Sequence, residues 1–237
     1  MKLQIDLKHL MTLIISFILF TVIGTVSHEY GHIIVAKSLG YKTTLHYGSM
    51  NYDMNELFDT LEEINREYRS ELKSGSDFER KAEYKSILAK LKYHQLLVQI
   101  GGPIQTILTG IIGLFILIYR KKNIKEFGFK LFDWLAAFLS LFWLREVFNL
   151  AMSIFNELIA PKGSYFGGDE HKISIMLNIW EGTIPIILGI IGLIISLFVI
   201  FKIVPEKLRF TFLLSGFLGG IIGFILWMYI VGPIILP

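Results

Sequence analysis

Five long apolar stretches dominate this 237-residue chain and limit what it can fold into. They run from Leu10 to about Ala36, Leu96 to Tyr119, Leu131 to about Phe155, Ile184 to Val204, and Leu208 to Val231. Each approaches or exceeds the roughly 20 residues a helix needs to cross a bilayer. Charged residues make up only 18% of the chain, against about 25% in an average soluble domain. The sequence therefore predicts an all-α polytopic membrane protein with about five transmembrane helices. The net charge of +3 is small and scattered, which argues against nucleic acid as a partner. The absence of cysteine excludes disulfides and thiolate metal ligands.

Three regions follow. Residues 1–36 form the first span, residues 37–95 a polar extramembrane segment, and residues 96–237 a region of four spans. Lys2 and Lys8 precede the first span as they would a signal peptide. That span is too long for one and lacks a small-residue cleavage site, so it is read as a retained helix. In the polar segment, Tyr41–Tyr52 has the composition of a short strand or hairpin. Leu57, Leu61, Ile64, Tyr68 and Leu72 then recur every three or four residues, as on one face of a helix. Gly75 and Ser76 interrupt that pattern, and a second helical run from about Asp77 leads into the second span. With ten acidic and ten basic residues, the segment reads as a solvated helical cap. In the fifth span, Gly216, Gly219, Gly220 and Gly223 form overlapping small-xxx-small pairs, expected to pack helices within one bundle.

The chemistry concentrates at the end of the first span, in His28-Glu29-Tyr30-Gly31-His32. Residues four apart share a helix face, so His28 and His32 can offer two imidazoles to one zinc ion. Glu29 lies about 100° round the helix, placed to act as general base on a zinc-bound water. Ionisable residues inside a span are costly and usually functional, and here three fall within five positions.

A catalytic zinc normally has three protein ligands. Asp169, in Gly167-Gly168-Asp169-Glu170-His171, is the first candidate for the third. Glu170 and His171 follow, and Glu146 of the third span is a further rival. Counting membrane crossings puts Asp169 on the same side as the histidines. Depth agrees, since His28–His32 lie about 6–12 Å inside the first span and Gly101-Gly102-Pro103 about 8–10 Å inside the second. Pro103 lacks an N–H and predicts a helix break at that level. In the third span Arg145, Asn149, Met152 and Asn156 share one face, expected to point into the bundle. Arg145 and Glu146 are expected to form an ion pair or to orient a ligand.

These motifs resemble the site-2 protease family, the intramembrane zinc metalloproteases, over roughly residues 10–175. The resemblance rests on HEYGH ending an N-terminal span, Gly102-Pro103 opening the second, and an acid after the third. It implies zinc ligands at His28, His32 and Asp169, with Glu29 as base. The family's Gly-Pro element is commonly followed by an Asn that helps hold substrate, and Thr106 stands at that position here. Gly102, Pro103 and Thr106 are thus candidates for positioning substrate, as is Asn149. Gly-Gly-Asp-Glu stands where the family usually has Asn-Pro-Asp-Gly or Leu-Asp-Gly. No PDZ-like insertion is present.

The expected function is a zinc-dependent intramembrane endopeptidase, with one zinc ion and a membrane-embedded or membrane-adjacent protein substrate. The expected location is a bacterial cell membrane, crossed several times. The alternative is a non-proteolytic metal-binding or transport protein using the same His pair. The Tyr41–Tyr52 segment is a candidate to clamp an extended substrate by strand addition. Flanking charges number ten on the side away from the histidines (Lys2, Lys8, Arg120, Lys121, Lys122, Lys125, Lys130, Lys202, Lys207 and Arg209). Only Lys162 and Lys172 lie on short segments of the other side, which would make the metal side the outer one, but the ten basic residues of the 37–95 segment bring the count to ten against twelve and leave the orientation open. The family tends to place its site near the cytosol.

Overall fold

A computed structural model describes residues 5–161 and 163–237. Lys2 and Lys162, counted among the flanking charges, lie outside the described residues. Five helical segments are long and apolar enough to cross a membrane: Leu7–Ser38, Lys81–Phe127, Leu131–Ile159, Thr183–Ile203 and Arg209–Ile235. They coincide with the five apolar stretches. Their outer faces carry exposed Ile15, Leu19, Ile112, Phe115, Ile194 and Phe217. So broad an apolar surface fits lipid rather than water as the surrounding solvent.

The first span, α1 (Leu7–Ser38), begins at Asp6, whose carboxylate accepts the His9 N–H and caps the helix. Its hydroxyls are satisfied internally, with Thr12, Ser16, Thr21 and Thr25 donating to carbonyls one turn back. The predicted hairpin follows as β1 (Thr43–Leu45) and β2 (Met50–Tyr52), antiparallel with Thr44 opposite Asn51. Its tip is fastened to the far end of the chain. Tyr47 N–H donates to Leu236 O, and Trp227 Nε1–H donates to Tyr47 O at 2.7 Å.

The polar segment continues as α2 (Asn55–Glu67) and α3 (Arg69–Ser74). Leu61 and Ile64 are buried along the predicted apolar face. Gly75 ends α3 with φ +72°, a left-handed conformation that favours glycine. Arg80 pairs with Glu63, Glu67 and Glu83, pinning α2 to the start of α4. Helix α4 (Lys81–Phe127) is continuous for 47 residues. The break expected at Pro103 is absent. A proline removes only the bond to the carbonyl four residues back, here Gln99, and the helix continues beyond it.

The third span is two helices, α5 (Leu131–Ser140) and α6 (Leu144–Ile159), joined by a tight turn at Leu141–Trp143. Next come α7 (Gly168–Met176) and α8 (Thr183–Phe198), the latter ending in a π-helical turn at Val199–Ile203. Helix α9 (Arg209–Ile225) leads through a second π-helical stretch into α10 (Gly232–Ile235). A buried core of Leu13, Leu117, Phe138, Val199 and Phe212 fills the half of the bundle away from the HExxH end.

Glycines set how closely the helices meet. A Cβ on Gly219 would lie 2.6 Å from Ile14 O, and one on Gly223 2.9 Å from Ile18 Cα. The fifth span therefore packs on the first within one chain, as expected. Gly220 has nothing within 4 Å and takes no part.

Two expectations for the third span are corrected. Met152 and Asn156 are exposed, so the face they share with Arg145 and Asn149 is not buried along its length. Helix α8 packs instead against Trp143, Val147 and Leu150, through Gly192 and Gly189. Arg145 and Glu146 form no ion pair among the described residues, because successive helix positions point about 100° apart.

Candidate metal centre

His28 and His32, in the last third of α1, are buried at 0% and 6% exposure. Their Nε2 atoms lie 3.3 Å apart. Asp169, in the first turn of α7, brings its Oδ2 to 2.7 Å from His28 Nε2 and 3.3 Å from His32 Nε2. These three residues form a buried group that could hold a metal ion. Around a tetrahedral zinc, donors about 2.0–2.1 Å from the ion stand about 3.3 Å from one another. Two of the three edges match, and the third would open by about 0.6 Å.

The rest of the structure turns the donors toward that point. His28 Nδ1 is 2.9 Å from Thr106 Oγ1, and His32 Nδ1 is 2.6 Å from the Val98 carbonyl. The carbonyl only accepts, so His32 carries its proton on Nδ1 and presents a bare Nε2. The Gly102 N–H also approaches His32 Nδ1, at 3.3 Å, but the shorter contact decides the tautomer. Thr106 Oγ1 can accept from His28 Nδ1–H in the tautomer that leaves His28 Nε2 free for a metal. Gln99 of α4 donates to Asp169 Oδ1, leaving Oδ2 for the group. Each donor thus has the outer-shell partner that metal-ligating side chains normally carry.

Backbone shape makes room for this arrangement. Gly168 adopts φ +79°, which only glycine takes readily, and turns the chain into α7. Asp169 then sits inside the first turn, while Gly167 takes the cap position. At Gly102 a Cβ would lie 2.5 Å from His28 Nε2 and would also strike His32 Nε2. The bare α4 backbone therefore faces the donors directly. One residue earlier on each helix, Gly31 and Gly101 meet backbone to backbone, with a Cβ on Gly101 only 2.5 Å from Gly31 O.

Glu29 is 6% exposed and makes no hydrogen bond among the described residues. Tyr30, by contrast, faces outward.

The rivals for third ligand stand outside the group of three. His171 Nδ1 faces Glu181 at 3.9 Å. Glu146 and Glu170 are both 1% exposed and interact with each other, yet none of their four oxygens has a protein hydrogen-bond donor. Asn149 lies beside this pair, its Nδ2 being 3.7 Å from where a Gly168 Cβ would stand. Thr106, a candidate for holding substrate, is 3% exposed and holds His28 instead. Gln99, Val98 and Gly31 were not singled out from sequence. The available signal for Gln99 was a polar side chain inside an apolar run, one turn before Gly102-Pro103.

Compared with protein-family models, curated proteins and solved structures, the chain matches none.

Proposed function

We propose that the protein is a zinc-dependent endopeptidase of the site-2 protease type, hydrolysing peptide bonds within or next to a bacterial cell membrane. The observation that carries this reading is the convergence of His28 Nε2, His32 Nε2 and Asp169 Oδ2 beside a buried, unbonded Glu29. A metal ion held by these three would supply Lewis acidity, polarising the scissile carbonyl and bringing the pKa of water near 7.

The protein's own residues do the remainder. Glu29 accepts the proton of the attacking water and returns it to the leaving amine. Thr106 and Val98 hold the imidazoles in orientation, and Gln99 holds the carboxylate. The exposed apolar belt would admit a membrane-embedded substrate sideways from the lipid. That substrate must unwind locally, because helical carbonyls are already hydrogen-bonded. The unwound stretch would pair along an edge of the β1–β2 hairpin, which follows α1 directly.

Glu29→Gln is the deciding variant. It keeps the shape of the site and removes the base. Purified protein should retain its metal and lose cleavage of a transmembrane peptide, by about 100-fold or more. Full retention of a metal-dependent activity in this variant would instead favour the metal-binding or transport reading.

A further inference from the structure

The two ends of the bundle differ in chemistry. Thr211 accepts the Asp6 N–H, which places the start of α9 beside the start of α1. His28 lies 22 residues further along α1, about 33 Å away. Between the end of α4, the π-helical turn after α8 and the start of α9 is a cleft of about 400 Å³. Lys121, Lys125, Lys202 and Arg209 line it, with Glu206 as the lone acid. Its floor includes buried Ile124 and Ile203.

Four cations against one carboxylate leave the cleft strongly positive. None of the four forms an ion pair within 4 Å among the described residues, whereas neighbouring Arg120 is bound to Asp133 at 2.5 Å. Arg209 donates from Nε to Val204 O, and Lys121 Nζ lies 5.7 Å above the Phe198 ring. Neither contact neutralises charge. The cleft also sits where three apolar spans end or begin, which in a bilayer would be the headgroup region. Ile118 and Phe201 stand exposed next to this rim and lead into the apolar belt. A cationic rim over an apolar floor, open toward lipid, suits a ligand with an anionic head and a hydrocarbon tail.

We propose that this cleft binds the phosphate of an anionic phospholipid, with Lys121, Lys125, Lys202 and Arg209 as its ligands. The inference depends on the chain residing in a bilayer and is independent of proteolysis. A soluble phosphate compound offers the same anion without the tail.

The full chain in mild detergent is titrated with phosphatidylglycerol, phosphatidylcholine or inorganic phosphate. Thermal melting and native mass spectrometry read the result. Phosphatidylglycerol should raise the melting temperature and stay bound, while the other two should do neither. Lys125→Gln with Lys202→Gln should weaken that retention by about tenfold or more. A charge-matched control in the polar segment, Lys73→Gln with Lys85→Gln, should leave it intact. Equal effects of the two lipids, an equal effect of inorganic phosphate, or equal loss in the control would each overturn the proposal. The lipid comparison on the unmodified chain decides the matter even where the double variant fails to fold.

Discussion

Gln99 of the second span and Asp169 beyond the third are joined by a hydrogen bond that occupies one carboxylate oxygen and leaves the other facing two imidazoles. The bond divides the carboxylate's work. Oδ1 fixes its orientation and Oδ2 faces the two imidazoles that could share a metal with it. Removing the amide frees Asp169 to rotate without replacing any of the three proposed metal ligands. Gln99→Leu should therefore lower zinc affinity about 10–100-fold, read by competition with a chelator of known strength. Unchanged affinity would show that Asp169 needs no such support.

Gly101 and Gly102 are neighbours with separable roles. A methyl group at 102 points at the imidazole nitrogens and competes with a metal for space. A methyl group at 101 points at the backbone of α1. Gly102→Ala should yield folded protein with little bound metal. Gly101→Ala should lower the stability of the bundle by about 1–3 kcal/mol, the usual cost of overpacking. Metal analysis beside thermal melting distinguishes them, and identical behaviour of the two variants would contradict the assignment.

The Glu146–Glu170 pair buries two carboxylates with no donor. Two ionised carboxylates buried side by side would be unfavourable, so the pair is expected to share a proton, which it must take up on folding. Glu146→Gln supplies an amide that can donate to Glu170. The expected outcome is a higher melting temperature, equivalent to about 1–2 kcal/mol, with metal content unchanged. A sharp loss of stability would mean that the native pair holds a bound cation.

Metal retention should depend steeply on acidity. Both imidazoles bind metal only when neutral, and their ordinary pKa is about 6.5. As pH falls below that value, protons compete for two ligands at once, so affinity should drop by up to about two powers of ten per pH unit. Raising the pH from 7 to 8 should change little. Dialysis at graded pH followed by metal analysis reads the curve, and a flat curve between pH 7 and 5 would exclude the histidine pair as ligands.

What could be read from the sequence was what depends on one helix at a time or on counting crossings. His28 and His32 share a face because they are four apart, and Asp169 falls on their side because two further spans return the chain there. Contacts between helices were not legible, because they depend on how each helix is rotated about its own axis. Gln99 and Gly31 look unremarkable until α4 is laid against α1. The same dependence explains the correction at Asn156, since the position of α8 decides which face of α6 is covered. The π-helical turn at Val199–Ile203 lies in an apolar run whose composition gives no sign of it. Pro103 differs for a related reason, since the neighbouring helix α1, which meets α4 at Gly101 and Gly102, is not visible in the local sequence.

The unbroken course of α4 gives the molecule a mechanical property. At 1.5 Å per residue it is a strut about 70 Å long, with Gly102 about 32 Å from its polar end and Lys121 about 60 Å from it. Tilting that end by 5° about the Gly31–Gly101 contact would shift the Lys85 region by about 2 Å and swing the cationic end the opposite way. The contact would act as the fulcrum of such a lever, with the candidate metal site beside it, where displacement is smallest. Load applied at either membrane surface could thus pass through the centre without prising its ligands apart.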